Sequence, residues 1–406
     1  MINKKVEVLS PAGDMERFKY ALKFGADAIY LAGNKFGMRT APSNFNREEL
    51  IEAVNLAHDN DVKVYITCNI VARNKDIVEL PEFLKFLNEI KVDAIIVSDL
   101  GVLSLIKKYA PDIEIHISTQ AGVANFETAN MLYDMGAKRV VLARELSFEE
   151  IREIREKTSK ELEIETFVHG AMCVSFSGRC LISAYLAGRD ANKGDCAAPC
   201  RWKYYLNEEK RPGLYFPVEE DNTGTYFFNS KDLCMIEYIP ELIEAGISSL
   251  KIEGRAKSAY YTAVVTNAYK SAVNDYYSMG ENYKLQPWIK EEVNKISHRQ
   301  YSTGFFFGNE PGQVYDTGGY VRDYDVVAIC NFYEDGYMNL SQKNKFSKGE
   351  VVEILEPSKE PYEIKIDHIY DEWNNEIETA NHAEQRIKIP TDIKVGDNAI
   401  IRRRKV

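Results

Sequence analysis

Over the first 255 residues, short runs of apolar, β-branched residues alternate with longer stretches whose apolar positions recur at helical spacing. The runs fall at residues 6–9, 28–31, 62–66, 94–97, 113–117, 140–143, 164–168 and 249–252. Eight strands separated by amphipathic helices are the pattern of a parallel α/β sheet. The expected fold class is α/β, a TIM-like (β/α)8 barrel; an open doubly wound sheet is the alternative, because strand order is not written in a single sequence. Helix ends keep the same cadence. Asp14 is expected to cap a helix, and Ser147 with Glu150 forms a capping box that opens a helix over 148–157. Gly25, Gly136 and Gly246 each closely precede a predicted strand, as glycines do at left-handed helix ends.

The cadence breaks in two places. Residues 170–246, between the seventh and eighth strands, exceed what one loop and one helix need, and this insertion carries five of the seven cysteines. A long helix is expected from about 255 to 278, after which the Tyr- and Gly-rich passage 301–320 reads as a linker or an extended wrap. From residue 321 strands are predicted at 325–330, 337–340, 350–355, 362–366, 387–389 and 398–402, with turn signals in Glu334-Asp-Gly336, Ser347-Lys-Gly349 and Val395-Gly-Asp397. The expected organisation is a barrel domain over 1–300 with its insertion at 170–246, a linker at 301–320, and a small all-β barrel over 321–406.

Charge narrows the function. A net charge of -11 argues against nonspecific coating of nucleic acid, so any RNA contact must be local. The most basic run, Arg402-Arg-Arg-Lys405, adjoins the β module and is a candidate phosphate patch. The opening residues lack a long apolar stretch, and no run approaches the roughly 20 apolar residues that span a bilayer, so a cytoplasmic location is expected. An odd number of cysteines without an export signal disfavours a disulfide framework and points the clustered ones toward metal binding or catalysis.

In a barrel of this kind chemistry gathers where strands end. The polar residues there are Ser10-Pro-Ala-Gly-Asp14, Asn69, Ser98-Asp99, Ser118-Thr-Gln120, Arg144-Glu145, His169 and Glu253-Gly-Arg255, which can equally be helix caps and buried ion pairs. Cys173 and Cys180 are separated by six residues, Cys180 and Cys196 by fifteen, and Cys196 and Cys200 by three. Four thiolates returning from one loop suit a 4Fe-4S cluster. Zinc is the rival, although only Cys196 and Cys200 have the spacing of a structural zinc pair. Buried free thiols are the bland alternative. The chain has no His-Glu-x-x-His metal motif and no Gly-x-Ser-x-Gly elbow, so a peptidase would have to pair Cys173 with His169, against a ligand role for Cys173.

The segment Val168-His-Gly-Ala-Met-Cys-Val-Ser-Phe-Ser-Gly-Arg-Cys180, followed by Gly194-Asp-Cys-Ala-Ala-Pro-Cys-Arg-Trp202, resembles the signature of the collagenase-like peptidase family (U 32). Leu9-Ser-Pro-Ala-Gly-Asp14, His116-Ile-Ser-Thr-Gln120, Ala143-Arg-Glu-Leu146 and Lys251-Ile-Glu-Gly-Arg255 look like the family's other blocks. The resemblance covers most of residues 1 to 270 and, more weakly, the C-terminal module. It implies an enzyme, because members are described as peptidases or as oxygen-independent hydroxylases of RNA or of a quinone precursor. The chain looks closest to the branch that installs the 5-hydroxyl on the wobble uridine of tRNA, with a 4Fe-4S cluster and with prephenate as the required metabolite.

On that match Cys173, Cys180, Cys196 and Cys200 would be the ligands, with Cys234 as the alternative fourth, since some relatives take a ligand near it. A prephenate-like dianion needs cationic forks. Arg144, Arg179, Arg201 and Arg255 are candidates, with Arg39 as a further one, and Gln120 and Lys251 complete the substrate-binding set. Glu145, Glu253 and His169 are the candidate proton carriers. The implied partner is tRNA at its anticodon region, and a homodimer or a pairing with a related chain stays open. A peptidase and a noncatalytic cluster-bearing subunit are the competing functions.

Overall fold

The computed structural model describes residues 5–38, 44–173, 175–201, 231–308 and 320–405, together with the backbone of short strands between 206 and 226. Seven strands come first: β1 (Glu7–Pro11), β2 (Ala28–Leu31), β3 (Lys63–Cys68), β4 (Ala94–Val97), β5 (Glu114–Ile117), β6 (Arg139–Val141) and β7 (Glu163–Ala171). The crossovers between them are α1 (Met15–Lys23), α2 (Arg47–His58), α3 (Asn74–Glu89), α4 (Leu100–Tyr109), α5 (Phe126–Asp134) and α6 (Phe148–Lys157). The caps form as the sequence predicts. The Asp14 side chain accepts from the Arg17 amide, Ser147 and Glu150 close a reciprocal capping box, and Gly25, Gly136 and Gly246 all have positive φ.

After β7 come α7 (Ile182–Ala187), β8 (Asp232–Cys234), α8 (Ile239–Glu244) and β9 (Ser249–Ile252). β8 lies antiparallel along the end of β7, with Leu233 opposite Gly170. β9 lies parallel between β7 and β1, with Ser249 opposite Glu165 on one side and Glu7 on the other. That pairing closes an eight-stranded parallel barrel and removes the open-sheet alternative.

Two chemistries share the barrel interior. Leu9, Ala28, Tyr30, Tyr65, Ala94 and Ile96 form an apolar cluster on the β1 to β4 side. Across from it the lining is ionic: Arg139 donates to Glu7 at 2.6 Å, to Glu163 at 2.6 Å and to Glu165 at 2.9 Å, and Lys251 donates to Glu165 at 2.6 Å. Charges this deeply buried persist because each is paired. Burial alone would raise the Glu7 pKa, but the Arg139 guanidinium and hydrogen bonds from Arg139, Tyr65 and Ser249 bring it down to about 2. Glu7, Arg139, Glu163 and Ser249 each begin a strand, so this network plugs the N-terminal end of the barrel and leaves the opposite end for the site.

The outer wall continues as α9 (Ala259–Met279) and α10 (Pro287–Glu292). Residues Tyr301–Ser302 then pair with β8, and Phe306 is buried against Phe148, so this part of the passage is a wrap over the barrel. The C-terminal module is a seven-strand antiparallel half-barrel centred on the neighbouring strands Ile400–Arg404 and Tyr324–Glu334. Alternation places Met338, Leu340, Ile387 and Ile389 in its own core.

The basic run that reads as a phosphate patch is largely spent on ion pairs, with Arg404 left exposed at its end. Arg402 is fully buried and paired with Glu292 and Glu353, Arg403 is paired with Glu350, and Lys405 with Asp325. Alternation along a strand, which the charge run conceals, turns Arg402 inward. Among the described residues no helix is long and apolar enough to cross a membrane.

Candidate active site at the C-terminal mouth of the barrel

The C-terminal ends of the strands surround a cavity of about 650 Å³. Asn69 after β3, Ser118, Thr119 and Gln120 after β5, Arg144 after β6, and Glu253 to Ser258 after β9 line it. Other strand-end residues are spent on structure: Asp14 and Asp99 cap helices, and the Ser98 hydroxyl donates to the Asn69 carbonyl.

The cysteine segment is positioned from β7. Gly170 has φ +107, and a Cβ there would lie 2.4 Å from the Glu253 carbonyl oxygen, so only glycine lets β7 pass beneath the end of β9. The chain then forms a tight turn over Phe176–Gly178, α7, and further single turns at Ala191–Lys193 and Pro199–Arg201. Polar clasps hold these pieces. The Asn192 carboxamide accepts from the Cys180 amide at 3.3 Å and donates to its carbonyl at 3.1 Å, and Ser183 accepts from the Ala197 amide at 2.9 Å. Ion pairs of Arg73 with Asp190 and of Lys193 with Asp76 tie the segment to the start of α3.

Cys173, Cys180, Cys196 and Cys200 all line the one cavity. The Ile182 amide donates to the Cys180 sulfur and the Ala198 amide to the Cys196 sulfur, each at 3.3 Å. Cys234 is not among the lining residues, and burial pushes its thiol up to about 12. Cys68, at the end of β3, is buried and likewise pushed up to about 12. Among the described residues no three His, Cys, Asp or Glu side chains come close enough together to hold a metal ion.

Other parts of the cavity wall are cationic and aromatic. Arg144 stacks 3.7 Å from the Phe167 ring, donates to the Ala171 carbonyl at 3.0 Å and pairs with Glu253 at 3.5 Å. The Lys251 ammonium lies 4.6 Å from the Tyr30 ring and is neutralised by Glu165. Arg255 donates to the Met38 carbonyl at 2.7 Å and to Asn44 at 2.6 Å, tying the end of β9 to two points of the connection between β2 and α2. Arg179 is exposed and is not among the lining residues. The Arg201 side chain and Arg39 lie outside the described residues. Lys257, Tyr320 and Arg322 line the cavity unforeseen. Lys257 stands two residues past the Lys251-Ile-Glu-Gly-Arg255 block, whereas Tyr320 and Arg322 arrive from distant sequence and give no local signal.

Of the candidate proton carriers, only Glu253 lines the cavity. Glu145 accepts from the Ser177 amide at 2.7 Å and from its hydroxyl at 2.9 Å, so it anchors the turn between Cys173 and Cys180. His169 lies behind the cavity among Tyr261, Tyr269 and Tyr301. Burial, with His298 and Lys257 nearby, lowers its pKa to about 3. A neutral ring in that position is poorly placed to serve as base to Cys173, the pairing a peptidase would need.

Comparison with known proteins places the chain in a family. Residues 13–315 match peptidase family U32, and residues 322–402 match the peptidase family U32 C-terminal domain. The tRNA hydroxylation protein P1 of Bacillus subtilis is 39% identical over 100% of this chain and 96% of its own length. An uncharacterized protease of Methanocaldococcus jannaschii is 44% identical over 81% of each chain. The 23S rRNA 5-hydroxycytidine C2501 synthase of Escherichia coli is 37% identical over 76% of this chain and 46% of its own. With the family matched across both the barrel and the module, the chain belongs to peptidase family U32.

Proposed function

We propose that this chain is an RNA-modifying enzyme that hydroxylates the wobble uridine of tRNA to 5-hydroxyuridine. A 4Fe-4S cluster on Cys173, Cys180, Cys196 and Cys200 and prephenate as the oxygen-donating co-substrate complete the proposal. The observation that carries it is that those four cysteines line one cavity together with cationic and aromatic side chains, in a chain matched along its whole length by a tRNA hydroxylation protein. The donors are of the chemistry a cluster takes, four thiols lining one space with amide donors to two of the sulfurs, and binding it would require them to draw closer together than they stand here. When bound, the cluster would supply one-electron chemistry.

The protein's own residues would do the rest. Arg144, Lys257 and Arg322 add positive charge against Glu253 where a carboxylate or phosphate would sit. Arg255 holds Met38 and Asn44 beside the end of β9, and Glu145 fixes the turn that presents Cys173 and Cys180. Beside the cavity Phe176, Leu181 and Tyr185 stand exposed, a surface on which unpaired bases can stack. Over 321–406 the module has thirteen Lys and Arg against seventeen Asp and Glu, so the barrel mouth is the better RNA surface.

The test is nucleoside mass spectrometry of tRNA from cells lacking this protein and any paralogue. Wild type and Cys234→Ala are expected to restore 5-hydroxyuridine, and Cys196→Ala is not. Unchanged 5-hydroxyuridine in the deletion strain would overturn the proposal.

A further inference from the structure

Gln120 sits in the cavity wall on the single turn Thr119–Ala121. The turn is rigid: the Ala121 amide donates to the Ser118 carbonyl at 2.9 Å, and the Thr119 hydroxyl donates to the Leu142 carbonyl at 2.9 Å. Gly122, at φ +73, ends it. Only 6% of Gln120 is exposed, and its Oε1 is buried without a hydrogen-bond partner. A buried acceptor with no donor has surrendered its water for nothing. Such an atom is satisfied when a ligand brings the donor.

The same cavity supplies two aromatic faces, Phe167 and Tyr30, each already covered on one side by a cation, Arg144 or Lys251. Its volume of about 650 Å³ suits a nucleotide-sized guest. A carboxamide is a donor and an acceptor side by side. It complements an edge bearing the same pair reversed, such as the N3–H and O4 of uracil. Enzymes that react at a base turn it out of its stack and read that edge in a pocket.

Resting on the function proposed above, we infer that Gln120 is the specificity residue that reads the N3–C4 edge of the uracil turned into the cavity. N3–H donates to Gln120 Oε1, and the Gln120 amide donates to O4. Held by that edge, the ring leaves its C5–C6 side free, which is the side to be hydroxylated.

The experiment uses the full chain and an anticodon stem-loop RNA carrying either uridine or N3-methyluridine at the target position, with affinity read by fluorescence anisotropy. Wild type is expected to bind the uridine RNA about tenfold more tightly, the scale of one bidentate base contact. Gln120→Leu is expected to bind both equally at the weaker level, with an unchanged melting temperature. If Gln120→Leu fails to fold, Gln120→Met keeps the length of the side chain, lacks both the amide acceptor and the amide donor, and is expected to lose the preference as well.

A preference that survives either substitution overturns the inference, as does a wild type that does not distinguish the two RNAs. The function is judged separately by complementing the deletion strain. If wild type restores 5-hydroxyuridine and Gln120→Leu restores as much, the inference falls and the function stands; if wild type restores none, the function falls.

Discussion

The imidazole of His169 is walled in by three tyrosines, with Nδ1 3.4 Å from the Tyr269 hydroxyl and Nε2 unpartnered. Its pKa falls to about 3, chiefly because burial disfavours the charged ring. Unfolded, the ring protonates near pH 6.5; folded, it stays neutral until about 3. The unfolded state therefore binds more protons across that window, so the stability present above pH 6.5 drains away as pH falls toward 3. Between pH 7 and 5 this one group removes about 2 kcal/mol. Urea unfolding at a series of pH values is expected to show a shallower acid loss for His169→Gln than for wild type by about that amount, even though the variant is less stable at pH 7. Parallel pH profiles would mean that protons reach the ring in the folded state, and the enclosure described above would be wrong.

At the scale of elements, the barrel was legible because its signals are local and repeated. Strands at 28–31, 94–97 and 249–252 were read to the residue, and Ser147 with Glu150 announced α6 from three positions of sequence. The roles of strand-end residues were not legible, because a glutamate that caps a turn and one that moves a proton look alike in sequence. Glu145 is the case in point. Its two contacts to Ser177 hold the turn that follows Cys173, and a glutamine can make both, accepting from the amide and donating to the hydroxyl. Limited trypsin digestion is expected to cut Glu145→Ala several-fold faster than wild type at Arg179, with Glu145→Gln behaving like wild type. Fast cutting of Glu145→Gln as well would show that the charge is essential. Equal cutting of all three proteins would show that Glu145 anchors nothing.

For the whole molecule, the question is what makes the barrel and the module one body. Leu355 and Ile400 of the module join the barrel's hydrophobic core, and the Ser358 amide donates to Asn267 on α9 at 2.7 Å. At the centre of the seam, Arg402 donates to Glu292 of α10 at 2.8 Å and 2.5 Å, to Glu353 at 2.7 Å and to the Tyr260 hydroxyl at 3.1 Å. Arg402 is fully buried and Glu292 is 1% exposed, so neither has water to fall back on. Removing Arg402 leaves Glu292 buried with only Lys295, 3.2 Å away, to offset its charge, a loss of about 3 kcal/mol, the low end for a broken buried pair, whereas replacing both with apolar side chains is often close to neutral. Arg402→Leu is therefore expected to lower stability by that amount in guanidinium unfolding. Arg402→Leu with Glu292→Leu is expected to recover about half or more of it, because Glu353 keeps Lys295 at 2.8 Å. A double variant no better than the single one would show that Arg402 acts through its packing and its contacts to Tyr260 and Glu353. The seam would then be held by shape and not by the buried charge pair.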